Sequence, residues 1–390
     1  MPNNNFLVTF VLPCLNEEKT LPDCLLQIKE IEAKTTLQIS IIVADNGSTD
    51  GSSKIARDFG AQVVNVPKRG YGATLFAGCS QADGEFIIIG DADGSYNFNE
   101  AIPMLYELEA GADLVVGSRL KGDILPNAMP WLHRYVGNPV LTNILKFLFH
   151  TKVTDAHSGL RAFKKTTFDK LKLRSSGMEF ASEMLIKASI LNMSIAEVPI
   201  TLSPDGRERK PHLRTWKDGW RHLKLLILYS PEWLYLFPGL FFLILGLGLN
   251  IALNLVSNDQ YINIGTIFIG THWTIPATLF ATLGMQMLWL GVLSKSYSIK
   301  NDLYPSPNWF IFVRKHIYIE RSLFLGILLI MLGLAVEGYI LSVWLTNSFG
   351  VLDELRLGIF GMMWFILGIE LVLNSFFFDL INSDELNNLK

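Results

Sequence analysis

The sequence predicts an α/β domain built on a mostly parallel sheet, followed by an all-α membrane domain of four transmembrane helices. Three observations predict this. Short apolar runs alternate with helical patterns through the amino-terminal half, as strands do with crossover helices. Composition then changes near Ser230: charges are spread through the chain before it, and four long apolar segments follow, at 235–256, 273–294, 322–345 and 357–381. Each exceeds the ~20 residues that cross a bilayer as a helix, and the first two carry no charged residue. A buried helix of that length in a soluble protein would show a polar stripe. A chain of 390 residues has room for both domains.

Taken in order, strands are expected at 6–12, 39–44, 62–66, 86–89 and 114–116, and helices at 17–31, 52–59, 71–81 and 99–109. In parallel sheets covered on both faces, ligands bind beyond the carboxyl ends of the strands. The central run is Phe86-Ile-Ile-Ile89, which leads into Asp91-Ala-Asp93. Alternation along an extended chain would put those two carboxylates on one side, about 7 Å apart at the backbone. Two anions that close call for a hard cation with oxygen ligands, Mg²⁺ or Mn²⁺, although Asp-Gly is also ordinary turn chemistry. Strand one ends in Asn16-Glu17-Glu18 and strand two in Asp45-Asn46-Gly47-Ser48, on the same edge. Singly these are helix caps and first-turn acids; together they read as one nucleotide and metal site.

The loop at 67–72 adds Gly70 and Gly72 at a helix start, where backbone N–H groups face outward. The dinucleotide pattern Gly-x-Gly-x-x-Gly fails because Leu75 stands last, and no Walker-type Gly-Lys-Ser/Thr occurs. Both absences weigh against a dehydrogenase and an NTPase.

Domain boundaries are expected at 1–212 for the soluble domain, 213–234 for an interfacial segment and 235–390 for the spans. Trp216, Trp220, Leu223 and Ile227 recur at helical spacing, with Arg214, Lys217, Arg221 and Lys224 mainly on the other faces. Such a helix lies in a lipid head-group layer, though a plain packing helix is the alternative. The connection between spans two and three holds Lys295, Lys300, Arg314, Lys315 and Arg321, while the others are nearly free of Lys and Arg. The positive-inside rule then makes that connection cytoplasmic. The amino terminus has no signal-peptide pattern, so the expectation is an integral membrane protein with its soluble domain and both termini in the cytoplasm. Three cysteines without metal-ligand spacing suit reduced thiols. A net charge of −3 gives no sign of a nucleic-acid partner. Glu337 and Glu370, inside the spans, are expected to pair within the bundle or lie shallow.

Five motifs occur in order: Leu12-Pro-Cys-Leu-Asn-Glu17, Ala44-Asp-Asn-Gly-Ser-Thr-Asp50-Gly, Asp91-Ala-Asp93-Gly, Gly117-Ser-Arg119 and Ser158-Gly-Leu-Arg161-Ala-Phe. This set resembles the family 2 glycosyltransferases, and within them the polyprenyl-phosphate sugar synthases such as dolichol-phosphate mannose and glucose synthases. The resemblance implies a GT-A fold, a nucleotide-sugar donor, a divalent metal and inversion at the sugar carbon. It implies that Pro13, Asn16, Glu17 and Asp45 line the nucleotide, where Ser48 and Gly72 are expected beside them. Asp91 and Asp93 would hold the metal, and Arg119 and Arg134 would face the phosphates of donor and acceptor. Ser95 stands where the mannose synthases have Gln, and Gly206-Arg-Glu-Arg209-Lys210 replaces their Gly-x-Ser-Lys segment. Both departures bear on the sugar more than on the reaction.

A lipid monophosphate is largely ionised at neutral pH, so it needs charge cancellation rather than a general base. Arginines clasp phosphate in a bidentate fork, which points to Arg119 and Arg134, with Arg161, Arg207, Arg209 and Lys210 as weaker acceptor-phosphate candidates. The partners implied are a nucleotide sugar, a polyprenyl phosphate (undecaprenyl or dolichyl) and the membrane, and homo-oligomerisation stays open. The competing readings are a processive polysaccharide synthase, whose Gln-x-x-Arg-Trp motif is not matched by Leu213-Arg-Thr-Trp216, and a non-catalytic lipid-handling membrane protein, which would have a broken Asp-x-Asp.

Overall fold

The computed structural model describes residues 7–207, 215–256, 261–301, 306–316 and 319–382. They form two compact units that meet in sequence between Tyr229 and Ser230.

The first unit is organised by a seven-stranded sheet of order β3-β2-β1-β4-β6-β5-β7. The strands are β1 (Leu7–Cys14), β2 (Gln38–Asp45), β3 (Gln62–Asn65), β4 (Phe86–Ile89), β5 (Leu114–Ser118), β6 (Arg161–Lys164) and β7 (Ile195–Pro199). All neighbours run parallel except at β6, which is antiparallel to both β4 and β5. Because side chains alternate across a strand, Phe86 and Ile88 of β4 enter one core and Ile87 and Ile89 the other. All four are therefore buried, as a central parallel strand requires.

β6 and β7 are the strands that apolar periodicity does not predict. β6 has only four residues and begins and ends on a cation, and β7 ends on Pro199; both are recruited by pairing with β5 rather than by their own pattern. The first helix also starts later than expected, at Leu21. Residues 15–20 are a turn, with Asn16 at φ 58° and the Glu17 carbonyl accepting from the Thr20 and Leu21 amides.

Helix Thr215–Leu228 belongs to the first unit. Asp218, His222 and Leu226 form its buried face, at four-residue spacing. Trp216 and Trp220 are 84% and 62% exposed, so the tryptophan stripe is not the face that packs.

The second unit has four helices long and apolar enough to cross a membrane: Glu232–Asn254, Thr271–Lys300, Ile319–Thr346 and Leu355–Asn382. The last two approach closely at glycines. A Cβ on Gly333 would meet the Gly361 carbonyl oxygen at 2.7 Å, and one on Gly326 would meet that of Gly368 at 3.0 Å. Small residues at such crossings let membrane helices pack. Among the described residues, Glu337 Oε1 and Glu370 Oε2 are buried without a hydrogen-bond partner, so a pairing within the bundle is not seen at those atoms.

Candidate active site

The site begins where β4 ends. The chain leaves Ile89 and turns at Gly94, whose φ of +76° suits glycine. Asp93 accepts from the Ser95 amide at 3.0 Å and from the Ser95 hydroxyl, which ties its carboxylate inside the turn. Asp91 lies against Gly159, where a Cβ would stand 2.6 Å from its Oδ2. The Tyr71 hydroxyl donates to Asp91. Burial and the neighbouring Asp93 push the Asp91 carboxyl up to about 7, the mark of an anion short of positive partners.

Arg207 supplies part of that charge. Its guanidinium reaches Glu17 at 2.8 Å and Asp93 at 3.1 Å. Burial works against the charged form of Arg207, but Asp93 and Glu17 outweigh it and raise its pKa.

Two cavities adjoin at this point. The first, about 580 Å³, is lined by Pro13, Glu17, Asn46, Arg69, Asp93 and Arg207 among others. The second, about 490 Å³, has a largely apolar wall including Leu132, Val136, Val140, Leu141, Trp220 and Leu223. Its polar end carries Arg119, His133 and His157. Tyr71, Asp91, Met178 and Asp218 border both cavities.

Of the residues expected at the donor, Pro13, Glu17 and Asp91 line the polar cavity, as does Asp93, expected at the metal. Asn16, Asp45 and Ser48 are not among the residues of its wall. Asp45 accepts from the Ser48 amide and the Ser53 hydroxyl, each at 3.0 Å, and Asn16 accepts from the Thr49 amide at 2.7 Å. The Asn16 amide in turn donates to the Ser48 hydroxyl at 2.9 Å. These three knit the ends of β1 and β2 together. Gly72 is needed for close packing: a Cβ there would run into the Ser175 carbonyl oxygen. Its neighbour Asn46 holds the 67–72 loop through the Val66 and Lys68 carbonyls and the Gly70 amide.

Among the arginines, Arg119 reaches the apolar cavity. Asp155 takes its Nε at 2.7 Å and Nη2 at 2.8 Å, an ion pair whose side chains are 11% and 0% exposed. Burial pushes the Asp155 carboxyl up, but Arg119 outweighs it and holds the group below the usual carboxylate range. Arg134 is half-buried with its guanidinium over the Tyr135 ring, 5.4 Å from the centroid, and its neighbour His133 forms the cavity wall. Arg161 is spent on main chain: it donates to the carbonyls of Ser158, Ala181 and Ala156 at 2.6–3.0 Å and is 1% exposed. Such an arginine braces the 156–161 turn rather than meeting a ligand. Arg209 and Lys210 lie outside the described residues.

Sequence reasoning did not single out Tyr71, Asp155, His157 or His222. The available signal was the Asp155-Ala-His157 triplet just before Ser158-Gly159. Among the described residues no group of three or more His, Cys, Asp or Glu is arranged to hold a metal.

The family described as Glycosyl transferase family 2 matches residues 9–172, and the Glycosyltransferase family 2 C-terminal transmembrane region matches residues 292–382. The low-salt glycan biosynthesis hexosyltransferase Agl6 of Haloferax volcanii is 33% identical over 95% of this chain and 87% of its own. The dolichyl-phosphate hexose transferase of the same organism is 29% identical over 51% of this chain and 84% of its own. A glucosyl-3-phosphoglycerate synthase structure from Mycobacterium tuberculosis, in complex with Mg²⁺ and uridine-diphosphate, is similar over 58% of this chain and 79% of its own, at 21% identity and a TM-score of 0.46. With a relative so similar along nearly its whole length, this chain belongs to the family 2 glycosyltransferases, with that family's carboxyl-terminal transmembrane region.

Proposed function

We propose that the chain moves a hexose from a nucleotide sugar, of the UDP-glucose or GDP-mannose type, to a polyprenyl phosphate, inverting the sugar carbon. The observation that carries this is the shared border of the two cavities. A polar cavity with Arg69, Arg207 and the two aspartates suits a nucleoside diphosphate, and an apolar one with Arg119 at its polar end suits a phosphate on a long hydrocarbon. Asp91 and Tyr71 stand between them, where the sugar carbon would sit. The names of the two Haloferax relatives, a glycan-biosynthesis hexosyltransferase and a dolichyl-phosphate hexose transferase, support the same reading.

Asp91 and Asp93 would hold Mg²⁺ or Mn²⁺. The fit rests on two carboxylates, Asp91 and Asp93, lining one polar cavity; burial and then the neighbouring Asp93 push the Asp91 carboxyl up, which a cation would relieve. When bound, such a cation neutralises charge on the leaving diphosphate. The chain's own residues do the rest. Arg119 would pair with the acceptor phosphate, held in aim by Asp155. One phosphate oxygen forms the bond to the sugar carbon, the bond from that carbon to the diphosphate oxygen breaks, and the nucleoside diphosphate departs with the electron pair. An ionised phosphate has no proton to lose, so no general base is required.

Lys295 and Lys300 at the end of the second apolar helix, Arg314 and Lys315 in the connection and Arg321 at the start of the third support a cytoplasmic side for that connection. An even number of spans then puts both ends of the chain on that side, with the exposed Trp216 and Trp220 in the head-group layer. The test is membranes containing the protein, supplied with polyprenyl phosphate and a panel of radiolabelled nucleotide sugars. Labelled lipid from one of them is the expected result; label in a polymer, or none in lipid, would contradict the proposal.

A further inference from the structure

Buried polar atoms are nearly always hydrogen-bonded, because leaving one bare forfeits its hydration. Nε2 of His157 breaks that rule: it is buried and, among the described residues, has no hydrogen-bond partner. The ring is not loose. Its backbone amide donates to Asp155 Oδ1, and Asp155 is the same carboxylate that grips Arg119. The His222 ring meets it edge to face at 4.6 Å, and His222 is fixed in turn by a 2.8 Å hydrogen bond between its Nδ1 and the Ser182 hydroxyl. His157, Arg119 and Asp91 all belong to the wall of the 490 Å³ cavity. Most of that wall's surface is apolar, from residues such as Leu132, Val136, Val140 and Trp220.

We propose that His157 binds the phosphate of the lipid acceptor, donating Nε2–H to a phosphate oxygen while Arg119 supplies the positive charge. This rests on the reading of the protein as a polyprenyl-phosphate glycosyltransferase. Asp155 is the common anchor: one carboxylate holds the Arg119 guanidinium and the His157 backbone amide. Burial, and then the neighbouring His222, hold the imidazole well below its usual pKa, so it meets the acceptor neutral, as a single N–H donor. A neutral donor suits an attacking group, since it orients a phosphate oxygen without removing the negative charge that makes its neighbour nucleophilic. A free alcohol would leave both donors poorly matched, and the pair thus selects a phosphate over the parent polyprenol.

The experiment uses the full chain in detergent, with the nucleotide sugar that labels lipid and with polyprenyl phosphate varied. Losing a hydrogen bond to a charged group predicts a KM for polyprenyl phosphate raised roughly ten- to a hundredfold in His157→Ala. The KM for the nucleotide sugar should stay within about twofold. His157→Gln, whose amide N–H reaches about as far as Nε2, should recover a large part of the loss; a purely structural role would not be rescued this way. A second measurement reads binding on the unsubstituted protein and needs His157→Gln only to assign the signal. In the ¹⁵N-histidine spectrum of the unsubstituted protein, polyprenyl phosphate should shift one Nε2 resonance, absent from the spectrum of His157→Gln, and polyprenol should not. An unchanged lipid KM in folded His157→Ala, a change confined to the nucleotide sugar, or an equal shift with polyprenol would overturn the assignment while the transfer reading stands. Absence of transfer to any polyprenyl phosphate by the unsubstituted chain would remove both.

Discussion

The two cavities meet at Asp91 and Tyr71 but are made from different kinds of chain. The polar one is built mainly on the ends of β1, β2 and β4 and on the 67–72 loop, with Met178, Arg207 and residues of helix Thr215–Leu228 completing its wall. The apolar one draws on 132–141, 157–159 and 216–223, segments distant in sequence that converge only when the sheet is complete. A strand end fixes its side chains through the sheet itself. The apolar wall instead relies on specific clamps, Asp155 on Arg119 and Ser182 on His222. The division predicts that substitutions act on one substrate or the other, except at the shared border.

The largest effect is expected at that border. Asp91→Asn or Asp93→Asn should lower transfer by at least roughly a thousandfold, since several kcal/mol of charge neutralisation disappear. EDTA should do the same to the unsubstituted protein, with Mg²⁺ or Mn²⁺ restoring it. Full turnover in chelator-stripped protein would break the metal assignment.

Next comes the clamp. Asp155→Ala leaves Arg119 buried and unpaired, which should cost the first unit about 3–5 kcal/mol. A clearly lowered melting temperature in detergent would show it. The exposed pair Lys34–Glu30, with side chains 66% and 56% exposed, offers the contrast. Lys34→Ala should change stability by less than about 0.5 kcal/mol.

A smaller effect depends on pH. Burial lowers the His222 imidazole to about 4 and holds His157 low as well. An unfolded histidine takes up its proton near 6.5, before the folded one does, so the unfolded chain binds more protons in acid. Stability is therefore full above about 6.5 and falls as pH drops from there towards about 4. Melting curves at pH 7 and pH 5 should separate for the unsubstituted chain and move closer together in His222→Gln. An acid loss undiminished in that variant would assign it to other groups.

How much of this could be read beforehand follows the same division. Phe86–Ile89 reads as a buried strand from its unbroken apolar run, whereas Asp91 and Asp93 gain meaning beyond turn chemistry only beside the polar ends of the other strands. The four spans are legible for an equally simple reason, their length without charge. Asp45 and Ser48 were legible as a cluster but not in their orientation: whether a carboxylate faces a ligand or the neighbouring turn depends on which amides the turn presents. Arg161 shows the limit most sharply. An arginine beside Ser158-Gly159 reads as a phosphate ligand until the carbonyls of 156, 158 and 181 are found around it. The exposed tryptophans of helix Thr215–Leu228 were legible, while its packing face of Asp218, His222 and Leu226 was not. Two of those three are polar and carry no apolar period.

The most direct test of the central claim is steady-state kinetics with both substrates varied, on one variant from each wall. Arg69 lines the polar cavity and Trp220 the apolar one. Arg69→Ala should raise the KM for the nucleotide sugar about tenfold or more, as a lost charged contact does, and leave that for polyprenyl phosphate unchanged. Trp220→Ser should do the reverse, by several-fold. If both variants weakened the same substrate, the two cavities would not divide donor from acceptor, and the account would be wrong at its centre.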